Sequence, residues 1–116
     1  MGVINRGVVI VRPKEPVLEW LRRLPGPGGD ATLEELRRDC NAYLIPEWET
    51  PEELDHRLKE HCRDIFEEEL RAWWLGEEDW PAKRTWSVFR AWFDIECIEM
   101  VKNVVEEPVL DDETDG

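Results

Sequence analysis

Serine occurs once in this chain, at Ser87, histidine twice and cysteine three times. That scarcity of nucleophiles and metal ligands narrows the chemistry open to it. Ser87 sits in the bulky run TWSVF, without the flanking glycines of a nucleophile elbow. His56 and His61 are five residues apart, which on a helix separates them by about 140° around the axis, too far to share one metal. Glu53 and His56 have the i, i+3 spacing of a di-iron ligand pair. Such a site needs a second pair and two further glutamates, and the sequence has no second copy. Cys40, Cys62 and Cys97 are odd in number, share no paired spacing and lie in apolar stretches. They are expected as reduced, buried thiols, and no metal or cofactor is expected.

Long apolar runs are missing too. The longest early one, Val8 to Val11, is too short for a signal segment and ends in Arg12-Pro13, and nothing approaches the length that spans a bilayer. A cytoplasmic, membrane-free protein is the expectation. The glycine-rich stretch PGPGGD (Pro25 to Asp30) has no Lys-Ser or Lys-Thr after it and no strand feeding it, so it is not a phosphate loop. Clusters of basic residues are absent as well. Residues 1–38 carry seven basic and five acidic side chains (net +2), and residues 39–116 carry eight and twenty-three (net −15), which together give the −13 of the whole chain. Such a surface repels nucleic-acid phosphates and anionic membranes, whose binding needs grouped lysine and arginine. Such acidity most often serves solubility, and it can also attract basic proteins or imitate a phosphate backbone.

What the chain does have is apolar content, 41% of 116 residues, enough for a folded core, together with seven tryptophans. Gly7 to Arg12 (GVVIVR) is a continuous β-branched run closed by Pro13, the pattern of a strand covered on both faces. Pro16 opens a short helix, VLEWLRRL, which PGPGGD stops. Thr32 and Glu35 form a capping box for a helix LEELRRD, and Asn41 to Ile45 reads as a strand that Pro46 ends or confines to an edge. Thr50, Pro51 and Glu53 start a helix of about 25 residues, on the order of 37 Å long, with Gly76 marking its far end. Leu54, Leu58, Cys62, Ile65, Phe66, Leu70 and Trp73 form its inward stripe. Glu53/Arg57, Asp55/Lys59, Arg63/Glu67 and Glu67/Arg71 are four-residue pairs on its wet side. Thr85 caps a further helix from Trp86 to about Phe93, and the Ile- and Val-rich IECIEMVKNVV fits a strand better than a helix.

The expected fold class is therefore α+β: a two-layer domain over residues 1–105 with a small three-stranded sheet covered by helices, in the order β-α-α-β-α-α-β. Residues 106–116, with six acidic side chains and no basic ones, read as a disordered tail. The fully apolar first strand implies that something covers its second face, with a homodimer as one candidate.

Two features carry the functional expectations. Glu69 falls inside the apolar arc of the long helix: four after Ile65, seven after Cys62 and four before Trp73. A carboxyl placed there is either paired, with Arg12 or Arg90 as candidate partners, or is the kind of group that enzymes tune as a general acid. A small enzyme or small-molecule binder would use Glu69 with Trp73 and Tyr43. The second feature is aromatic. Trp73, Trp86 and Trp92 fit helix stripes and belong to a core. Trp74 lies off the stripe, Trp80 sits in a polar loop before Pro81, and Trp48 stands in IPEWETP. Those three are the expected exposed indoles, suited to a protein partner or a cationic ligand, unless the loops fold back as lids.

The stretches VIVRPKEPVLEWL, LRRDCNAYLIPE, IFEEELRAWW and WPAKRTWSVFRAWFDIE together resemble an uncharacterised family of small acidic bacterial proteins, some labelled VacJ-like. The resemblance covers nearly the whole chain except the acidic tail. It implies a single-domain bacterial protein and supplies no catalytic residues. VacJ proteins proper are outer-membrane lipoproteins, and this sequence shows neither their signal peptide nor a lipidated amino-terminal cysteine. The leading expectation is a non-enzymatic, inhibitor- or immunity-like module that binds a basic protein.

Overall fold

A computed structural model describes residues 1–26 and 30–105. The acidic tail expected over 106–116 lies outside the described residues. The chain runs β1 (Gly2–Ile4), β2 (Arg6–Pro13), α1 (Glu15–Arg23), α2 (Leu33–Arg38), β3 (Asn41–Pro46), α3 (Pro51–Trp73), a 3-10 turn (Glu77–Asp79), α4 (Trp86–Trp92), β4 (Phe93–Ile98) and β5 (Val101–Asn103). β2 is the middle of a three-stranded sheet, antiparallel to β3 on one side and β4 on the other. The segment IECIEMVKNVV, expected as one strand, supplies the end of β4 and all of β5, with a break at Glu99 and Met100.

β1 and β5, which the sequence pattern did not separate from their neighbours, pair as a second, two-stranded antiparallel sheet. Their register differs from that of β2 and β4 by one residue. Ile4 lies opposite Val101 and Val8 opposite Ile98, so residues 5–7 face only residues 99 and 100. One extra residue on one side of a ladder is the mark of a bulge, which bends the ribbon and strengthens its twist.

Alternation along β2 is sharp. Gly7, Val9, Val11 and Pro13 are buried, while Val8, Ile10 and Arg12 between them are half-buried. Val9 and Val11 join Val17, Leu18, Leu21, Leu36 and, from α3, Leu58, Cys62, Ile65, Phe66 and Leu70 in one apolar cluster. Phe66 sits at its centre with no exposed surface. Its ring meets Phe93 edge-on at 5.4 Å and lies 5.6 Å from Trp92 and 5.8 Å from Phe89. Removing such a ring costs about 3–5 kcal/mol in a packed interior.

The helix starts form as their caps require: the Thr32, Thr50 and Thr85 hydroxyls accept from the amides of Glu35, Glu53 and Val88. The expected glycine stop of α3 is not used. The helix ends at Trp73, with the Trp74 amide donating to the Leu70 carbonyl and Trp74 itself extended. No glycine among the described residues has a positive φ, so Gly76 acts as no left-handed cap. On the wet side of α3, Glu53/Arg57, Asp55/Lys59 and Arg63/Glu67 pair as spaced. Arg71 instead takes Glu68 at 3.0 Å, and Glu67 takes Arg84 from the following loop, also at 3.0 Å.

Candidate functional site

Among the described residues, Glu69 is the one buried acidic or basic side chain, 4% exposed. The helical period puts it there, and β3 supplies what a buried carboxyl needs. Asn41 and Tyr43 stand two apart on that strand and so share a face. The Asn41 amide donates to Glu69 Oε2 at 2.7 Å, and the Tyr43 hydroxyl donates to the same oxygen in a short bond. Neither Arg12 nor Arg90 takes part: Arg12 pairs with Glu96 at 2.9 Å, and Arg90 lies over the Trp86 ring. Burial, followed by the hydrogen bond to Glu69, holds the Tyr43 hydroxyl protonated well above the ordinary tyrosine range. The three side chains lock α3 to the edge strand of the sheet. An open groove of about 310 Å³ runs beside them, walled by Tyr43, Asp64, Ile65 and Glu68, and Glu69 is not among its walls. Asn41 was the missed member. Its signal was the two-residue spacing to Tyr43 on a predicted strand.

The tryptophans sort differently from their sequence pattern. Trp80 is 6% exposed, folded back as a lid on the core, because the 3-10 turn gives its ring and its neighbours fixed partners. Its indole N–H donates to the Trp74 carbonyl at 2.9 Å. The indole of Trp20 donates to the Asp79 carbonyl at 2.8 Å, and that of Trp74 to the Asp79 carboxylate at 3.0 Å. The Arg71 and Arg84 guanidiniums lie over the Trp80 ring at 5.6 and 5.9 Å. The aromatic face expected to receive a cationic ligand is thus occupied by the chain's own arginines. Trp74 is half-buried. Trp73, expected in the core, is 41% exposed, since it is the last residue of α3 and the stripe continues there past the elements it packs on. Trp73 and the 79% exposed Leu75 therefore form the apolar corner of this region.

Trp48 is also buried, at 9%. Its ring packs against Gly7, where a Cβ would come within 2.0 Å of the indole Cζ3. Only glycine fits at that point of β2. Beyond the ring lies a groove of about 390 Å³, the more enclosed counterpart of the one beside Tyr43. Val3, Ile4, Trp48 and Met100 line it together with four glutamates, Glu47, Glu49, Glu53 and Glu99. Among the described residues no three histidine, cysteine or acidic side chains are grouped to hold a metal ion, and no helix is long and apolar enough to cross a membrane.

No protein-family model, curated protein or solved structure matches the chain, so its site is read from its own geometry.

Proposed function

We propose that the chain is a non-enzymatic interaction module: a two-layer α+β domain over residues 1–105, with helices on one face of the sheet, that binds a basic protein partner. One observation carries this reading. The side chains with candidate chemistry are engaged inside the chain, Glu69 by Asn41 and Tyr43 and the Trp80 ring by Arg71 and Arg84, while the surplus carboxylates are not. Glu47, Glu49, Glu52, Asp64 and Glu99 have no ion-pair partner among the described residues, and the chain carries −13 overall. Fields of one sign speed association with a partner of the other and weaken steeply with salt. Immobilised protein should retain a basic partner at low salt, and the purified pair should lose affinity at least tenfold when ionic strength rises from low to above-physiological values. A partner whose affinity is indifferent to salt, or no retained partner at all, refutes the reading.

Catalysis or small-molecule binding around Glu69, the rival, needs a cavity that reaches that carboxyl; a 4% exposed group bonded from within the chain favours the interaction reading. A homodimer is a second reading, favoured by the cross-strand row Leu44, Val8 and Ile98, in which Leu44 is 50% and Ile98 39% exposed. Sedimentation velocity decides it, since a monomer at high concentration removes the second copy.

A further inference from the structure

The groove beside Trp48 lies where the one-residue offset separates the β1–β5 pair from β2 and β4, and Val3 and Ile4 of β1 and Met100 of the β4–β5 connection line it together with residues 47–49 of the loop that leads into α3. Trp48, pressed against Gly7, is the buried member of this lining. Val3 is 62% and Met100 59% exposed, so two of the four apolar walls stand open to water. Its volume lies within the range of about 300–1,000 Å³ typical of ligand-holding clefts.

Half of the residues that line the groove are of opposite character: four are glutamates, and no basic residue lines it. Only Glu53 has an ion-pair partner, Arg57 at 3.4 Å. Glu47, Glu49 and Glu99 have none among the described residues. The carboxylates are not grouped as metal ligands would be, and they share the lining of the groove with Val3, Ile4, Trp48 and Met100. A hollow of this kind matches an amphipathic cation, whose aliphatic stem packs on apolar surface while its charged head meets carboxylates at the edge.

We propose that this groove is the docking site for the basic partner, and that it receives a partner segment in which lysine or arginine stands next to an apolar residue. The proposal rests on the interaction reading above and adds its location and the chemistry it selects. The lysine or arginine stem lies on Trp48, Ile4 and Met100, its head reaches the unpaired Glu47, Glu49 or Glu99, and the adjoining apolar residue covers Val3.

The test uses the full chain, isotope-labelled for NMR, and a capped short peptide of alternating lysine and leucine at low salt. Spermidine and the same peptide with glutamate for lysine serve as controls. Perturbations at the amides of Val3, Ile4 and Met100 and at the Trp48 indole are expected, with no binding of the glutamate peptide. Val3→Lys and Met100→Lys put a cation in the mouth at exposed positions and should each weaken binding about tenfold, while Ala82→Lys, which makes the same change in net charge on an exposed loop away from the groove, should weaken it less than about threefold. Perturbations spread along the wet side of α3, with Ala82→Lys as damaging as Val3→Lys, overturn the groove and leave the interaction reading standing. Spermidine binding as tightly as the peptide overturns the choice of a protein segment. A peptide that binds nowhere on the chain overturns both.

Discussion

Changing Tyr43 to Phe removes one oxygen and leaves the ring in place. That oxygen is one of two donors to Glu69 Oε2, on a side chain that is 4% exposed, and the Asn41 bond at 2.7 Å remains. Leaving a buried acceptor short of a partner costs about 1–3 kcal/mol, so a loss of about 2 kcal/mol is expected. At about 2.1 cal/mol/K per residue, 116 residues give an unfolding entropy near 0.24 kcal/mol/K, which converts that loss to roughly 8 °C in Tm. Urea unfolding of the wild type, Tyr43→Phe, Glu69→Gln and the double variant forms a cycle that isolates the pair, with a coupling of about 1 kcal/mol or more expected. The pH dependence gives a second reading of the same bond. In the unfolded chain the tyrosine ionises near pH 10.0, and in the folded chain burial and Glu69 hold the proton on to higher pH. The tyrosine therefore costs nothing below pH 10, and above it the unfolded state gains by releasing its proton, so stability falls as pH rises. Tyr43 is the only tyrosine, so tyrosinate absorbance follows this single group in the folded and the urea-unfolded protein. A Tyr43→Phe variant within 0.5 kcal/mol of wild type, or a folded tyrosine that titrates like the unfolded one, refutes the account of Glu69 as a structural clasp.

Three other outcomes follow from the geometry. Gly7→Ala drives a Cβ into the Trp48 ring at 2.0 Å, and the overpacking should cost about 1–3 kcal/mol in denaturant unfolding while shifting the Trp48 indole resonance; unchanged stability would mean that the ring does not rest on that backbone. Hydrogen bonds from Arg63 and then Arg84 hold Glu67 below the ordinary value of 4.5, so its contribution is present above that pH and fades as pH falls through the lowered value; Arg63→Ala with Arg84→Ala should return its NMR titration toward 4.5. Burial raises the Cys62 thiol, and its alkylation should be slow in the folded chain and reach the rate of a free thiol only when urea unfolds it.

Local signals settled much of this protein before any packing was considered. The three threonine caps, the β-branched run of β2 and the three- and four-residue steps of α3 place most of the elements, because each is fixed by neighbours within a turn or two of the chain. The inward aim of Glu69 followed from the same periodicity. Its partners did not: Asn41 and Tyr43 are 28 and 26 residues away, and only the docking of α3 on β3 chooses them over an arginine. The tryptophans show the same divide. Periodicity says which way a side chain points from its own helix or strand. Whether something stands opposite depends on where elements end and how loops return, so Trp73 emerges at the end of its stripe while Trp48 and Trp80, in stretches without a pattern, are drawn into the interior. The bulge between β1 and β2 belongs to the second class as well, since a one-residue offset exists only between two paired strands and leaves no mark on either alone.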